Sequence, residues 1–321
     1  MGKLDRFDQF LPAEPWVNPW QLDDSFAVDY ETLRSLLGVA VGSSQASGMV
    51  AGAVDMWAGE ELRRAGFDPD SVWPRRTTPR ILPRDLHNFV ESGLTKTLRD
   101  KVKERYSSPG AKKALPAEAH VMGSAFSKQA DVVVASWAAG VELLISTKTM
   151  LSSYQKNLRN RFEEGYGDAK NLRGRHPLAS LGFVFVVGSD IPPNALEFAI
   201  DMLRKLTTEP DVYDCACLII LDGAAGTPDE PAGDERDVDE EPTSVLSLPT
   251  SNDEVDEFEE VDDDPVEEIG SADVRLLTEN VPDDLSAERF FQTLIGEALN
   301  RMPVAIYPEV RQHRKDGRAP S

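Results

Sequence analysis

Cysteine, histidine, aromatic residues and long apolar runs are all scarce in this chain, and bases are outnumbered by acids. Only two cysteines occur in 321 residues, which excludes a disulfide-stapled scaffold and fits a reducing compartment. They stand as Cys215-Ala216-Cys217 inside an apolar run. Strand alternation puts both on one face as small core residues. The four histidines, His87, His120, His176 and His313, are scattered without metal-ligand spacing. The longest apolar stretches, 183–187 and 215–221, are strand-length and far short of a membrane span. Residues 1–15 carry acids and lack the apolar core of a secretory leader. The expectation is a soluble, cytoplasmic protein with no membrane partner. The Gly- and Ser-rich stretch 41–48 lacks the Gly-Lys-Ser/Thr ending of a phosphate loop, so no nucleotide site is assigned there.

What is abundant is acid. The formal net charge is −22, which at face value opposes a polyanionic partner. Its distribution reverses that reading. Residues 222–270 hold 20 acids and one base, a charge of −19, and this leaves −3 for the rest of the chain. Five prolines and a single aromatic, Phe258, complete that stretch. It cannot bury enough apolar surface to offset its ordering entropy, and it is expected to be a disordered insertion. In contrast, residues 75–176 carry 19 Lys and Arg against 10 Asp and Glu, a charge of +9.

Periodicity then orders the chain. Residues 1–84 read as an irregular arm followed by helices over 30–41 and 47–65, the second closely packed through Ala51, Gly52 and Ala53. A core is expected over 85–222. It opens with a helix over 85–106, where Leu86, Val90, Leu94, Leu98 and Val102 recur every four residues beside a basic face. Strands follow at 131–137 and 141–149, joined tightly enough to form an antiparallel hairpin. A polar helix over 151–165, a strand over 180–189, a helix over 193–206 and a strand over 213–222 complete the core. Beyond the acidic insertion at 223–270, residues 271–321 supply a final helix over 287–301 and a polar tail. The order predicts an α/β protein with a mixed central sheet flanked by helices.

The hairpin brings chemistry together. Pairing across its turn sums to 277 or 278, which sets Asp131 opposite Ser146 or Thr147. Lys148 then lies diagonally across, roughly 5–8 Å away between Cβ atoms. A carboxylate there can hold Mg²⁺, and a lysine beside it can position an attacking water and stabilise developing phosphorane charge.

With these residues in view, Lys128-Gln-Ala-Asp131-Val-Val-Val followed by Glu142-Leu-Leu-Ile-Ser146-Thr-Lys148 resembles the core of the PD-(D/E)xK nuclease superfamily, which includes many restriction endonucleases. Asp131 matches the first acid and Lys148 the lysine. The resemblance implies a restriction-endonuclease-like fold and Mg²⁺-dependent cleavage of DNA, by a homodimer or a subunit of a defence complex. Two positions depart from the pattern: Ala130 replaces the usual proline, and Ser146 replaces the second acid. Some members move that acid to the following helix, where Glu163 and Glu164 are the candidates, and Glu91 on the preceding helix is another. Glu142 is too far along the strand. Asp131 and Glu91 are thus the proposed metal ligands, with Lys128, Lys156, Arg159, Arg173 and Arg175 as DNA contacts.

Two further readings stand beside this one. Loss of the acid at Ser146 suits a catalytically degenerate DNA-binding or scaffolding subunit. The acidic insertion suits a DNA mimic or a dock for a basic partner.

Overall fold

A computed structural model describes residues 3–41, 46–106, 108, 115, 118–223 and 273–318. The acidic insertion lies outside the described residues. Six strands form one mixed sheet: β1 (Val72–Trp73), β4 (Val132–Ser136), β5 (Gly140–Met150), β6 (Ser180–Gly188), β7 (Cys215–Asp222) and β8 (Arg275–Leu276), adjacent in that order. β4 and β5 are antiparallel, β5–β6 and β6–β7 parallel, and β8 closes the far edge antiparallel to β7. A separate hairpin joins β2 (Ala119–Met122) to β3 (Ser127–Ala130). The α/β reading of the sequence is met.

Both faces of the sheet are covered, which is why β6 is apolar throughout and buried along all nine residues. On one face, Val132, Val134, Leu143, Ile145, Val184 and Cys217 pack against α1 (Tyr30–Val41), α2 (Ala46–Arg64) and α7 (Ala287–Arg301). On the other, Val133, Leu144, Phe183, Phe185 and Leu218 pack against α5 (Tyr154–Arg175) and α6 (Pro193–Thr208). Helix α7 approaches so closely that a Cβ at Gly182 would lie 2.6 Å from the Phe290 ring. The two cysteines are buried on the α7 side of β7, as alternation requires.

The hairpin register follows the expected sum of 277 from Val132↔Ile145 to Val134↔Leu143, and then slips to Ala135↔Val141. Glu142 is the extra residue of this bulge. It is buried and accepts a hydrogen bond from the Tyr307 hydroxyl.

Four expectations need correction. The helix over 85–106 is broken: α3 (Arg84–Asn88) runs into a π-helical turn, Phe89–Gly93, and Leu94 turns extended before α4 (Lys96–Tyr106). Its apolar stripe is largely uncovered, with Val90 buried and Leu86, Phe89 and Leu98 exposed. Helix α5 continues ten residues past the predicted stop, because Gly165 packs against Phe183 within the helix rather than ending it. The polar tail forms α8 (Pro308–Arg318), anchored by buried Val310 and by Arg314 on Asp24 at 2.6 Å.

The fourth correction concerns Arg173, which is a structural cation rather than a DNA contact. Its buried guanidinium donates to the Ala179 and Val212 carbonyls and to Asp214 Oδ2 at 2.8 Å. Arg301 meets the same carboxylate at 2.6 Å. Burial pushes the Asp214 carboxyl up, but hydrogen bonds from Arg301 and Arg173 outweigh it and hold the group below the usual range. Arg173→Gln would leave Asp214 half-neutralised and two carbonyls unpaired. Urea unfolding should show a loss of roughly 3 kcal/mol.

Candidate functional site

The site forms at the end of the hairpin where β4 begins and β5 ends. Asp131 occupies the joint between β3 and β4, and its Oδ2 accepts a 2.7 Å hydrogen bond from the Thr147 backbone N–H. The chain thus folds the acid against the strand that carries Lys148. Alternation along β5 sends Leu143, Ile145 and Thr147 toward α2, and Leu144, Ser146 and Lys148 toward α5.

Each helix adds a carboxylate to this strand end. From α2 comes Asp55, whose buried Oδ1 has no hydrogen-bond partner. Burial, followed by the negative charge of Asp131, lifts the Asp55 carboxyl well above the ordinary carboxylate range, and hydrogen bonding with Thr147 and the charge of Lys3 offset this only in part. From α5 comes Asp168, buried and paired with Lys128 of β3 at 3.2 Å. Burial raises its carboxyl too, against the opposing charges of Lys128 and Lys148. Burial, and the charges of Asp168 and Asp131, push the hydroxyl of the buried Tyr213 up, against hydrogen bonding with Ser146.

Asp131 stands between the two. Burial pushes its carboxyl up to about 6, the Thr147 N–H and the positive charges of Lys148 and Lys128 draw it down, and Asp168 opposes them. Two partly buried carboxylates, Asp55 and Asp131, therefore repel one another, and the positive charge of Lys3 eases this for Asp55 only in part. Such a pair either keeps a proton or takes a divalent cation.

The predicted residues divide accordingly. Asp131, Lys148 and Lys128 come together. Glu91 does not join them: it binds Lys103 at 2.6 Å, and hydrogen bonding with that lysine, helped by the charges of Lys103, His87 and Arg99, holds its carboxyl low. Glu163 points to solvent, 69% exposed, beside Arg159 at 3.4 Å. Glu164 pairs with Arg161 and reaches the cluster only as a charge felt by Asp168. Lys156 and Arg175 are exposed on α5, and Arg173 is buried below it.

Sequence reasoning missed Asp55 and Asp168. Asp55 is the sole acid between Ala46 and Ala58, in a helix otherwise built of small and apolar residues. An acid in so buried a helix is the available signal. Asp168 was hidden by ending the helix at Gly165.

Among the described residues no three His, Cys, Asp or Glu side chains converge into a ready ligand set. Mg²⁺ asks for less. It is commonly held by one or two carboxylates and completed by water and substrate phosphate. Asp131 and Asp55, whose buried Oδ1 lacks a hydrogen-bond partner, are the carboxylates that could do so. No helix among the described residues is long and apolar enough to cross a membrane. No family model, curated protein or solved structure matches this chain.

Proposed function

We propose that this protein hydrolyses DNA phosphodiester bonds with the help of Mg²⁺. The observation that carries the reading is the mutually repelling, partly buried pair Asp55 and Asp131 at the strand end that carries Lys148, with a buried Asp55 oxygen left without a hydrogen-bond partner. The likeness of residues 128–148 to PD-(D/E)xK nucleases supports it. So does the order antiparallel hairpin, helix, parallel strand running through β4, β5, α5 and β6.

In this reading Asp131 and Asp55 would hold the ion, which would supply an acidified water and neutralise charge on the scissile phosphate. The Lys148 ammonium lies near both Asp131 and Asp168. It would position the attacking water and stabilise the charge that develops on the phosphoryl oxygens. Asp168 holds Lys128 as a second cation beside the site.

Lys148→Met tests the assignment. Cleavage of a labelled duplex under single-turnover conditions should slow by about 10²–10³-fold, with DNA affinity changed by less than threefold. Wild-type cleavage rates in the variant would refute the role. That no three acid, His or Cys side chains among the described residues converge as a ligand set favours one competing reading, a DNA-binding subunit without catalysis. In that case DNA binds and no Mg²⁺ concentration yields product.

A further inference from the structure

The β2–β3 hairpin leads directly into Asp131, yet its tip has no role in the site as described. Residues 123–126 form that tip; Phe126 on it and Met122 at the end of β2 are 51% and 49% exposed. Large apolar side chains at a hairpin tip gain little from folding, and a loose loop would hide or disperse them. This tip is held rigidly instead. The buried Asn171 side chain of α5 accepts from the Ala125 and Phe126 backbone N–H groups at 2.9 and 3.3 Å, and donates to the Phe126 carbonyl at 3.0 Å. Its own carbonyl accepts from the Ser124 N–H at 2.8 Å. A Cβ at Gly123 would collide with the Asn171 amide, so only glycine fits there. The His176 ring bonds the Met122 carbonyl at 2.9 Å. A buried amide spent on fixing an exposed loop pre-organises that loop for contact.

Its position names the partner. Lys128 lies two residues beyond Phe126 and is tied to the acidic cluster through Asp168 at 3.2 Å. At ~3.3 Å per residue, Phe126 stands roughly 17 Å along β3 from Asp131. That span is about five base steps of a nucleic-acid strand. Arg175 adds an exposed cation beside His176.

We propose that this hairpin is a nucleic-acid contact in which Phe126 inserts between bases about five steps from the scissile phosphate. The inference takes its substrate class from the nuclease reading, but binding alone tests it. An aromatic wedge at a fixed distance from the site favours strands that unstack easily there.

The experiment uses the full chain in EDTA and fluorescein-labelled single-stranded and duplex oligonucleotides, read by fluorescence anisotropy. Phe126→Ala should weaken binding at least fivefold, in line with ~1–3 kcal/mol per stacked base. Phe126→Trp should retain it, and Val304→Ala, at a site 80% exposed elsewhere, should have no effect. Phe126 is exposed, so circular dichroism should be unchanged. If Phe126→Ala binds as tightly as wild type, the hairpin inference is wrong while the nuclease reading stands on cleavage. If it instead alters oligomeric state with binding intact, the tip is a protein contact and the inference is likewise overturned. Loss of binding in a protein that never cleaves would support the hairpin and refute the nuclease. A wild-type chain that binds neither oligonucleotide refutes both.

Discussion

Asp131→Asn is expected to raise the melting temperature of the metal-free protein by several degrees at pH 8, and to do so less and less as the pH falls toward 4. The folded carboxyl is pushed up to about 6 by burial, above its ordinary value near 3.8. The fold therefore binds this proton more tightly than the unfolded chain does. Its stabilising contribution is complete below the unfolded value and is lost as pH rises through about 6. Above that, the buried charge costs on the order of 2–3 kcal/mol, which the neutral amide avoids while still accepting from the Thr147 N–H. Thermal denaturation at pH 5, 6, 7 and 8 in EDTA checks this. Adding Mg²⁺ should close the gap by raising wild type alone, because a ligand that binds only the folded state stabilises it by mass action. A variant less stable than wild type at pH 8 would show that Asp131 is paired rather than strained.

Asp55→Asn should have the second large effect. Removing one of two ligands is expected to raise the Mg²⁺ concentration giving half-maximal cleavage by about a hundredfold. The amide relieves the repulsion with Asp131, so the metal-free variant should melt above wild type. Glu91→Gln and Glu163→Gln should stay within twofold of wild type in both measurements. Their carboxylates are engaged by Lys103 and Arg159 on the surface. A Glu91 variant that loses activity while Asp55→Asn keeps it would reverse the assignment.

The sequence made the hairpin legible because both determinants are local. Alternation over residues 131–149 fixed the faces, and the short turn fixed the register to one residue until the Glu142 bulge. The pairing of Asp131 with the end of β5 followed from that arithmetic. The acids from the helices were not legible, because which helix face meets a strand end is a tertiary property. Asp55 sits 76 residues before Asp131, and only packing of α2 over Leu143 and Ile145 brings them together. Arg173 failed for the same reason. A basic residue in a polar helix looks like a phosphate contact until its neighbours, Asp214 and Arg301, are known to lie beneath it. The 85–106 periodicity was real, but periodicity says which face is apolar and not whether anything covers it.

Supercoiled plasmid incubated with wild type and with Asp131→Asn, each in Mg²⁺ and in EDTA, tests the central claim most directly. The account predicts nicked or linear product with wild type in Mg²⁺ alone and intact plasmid in the other three. Equal cleavage by Asp131→Asn, or wild-type cleavage that persists in EDTA, would contradict it.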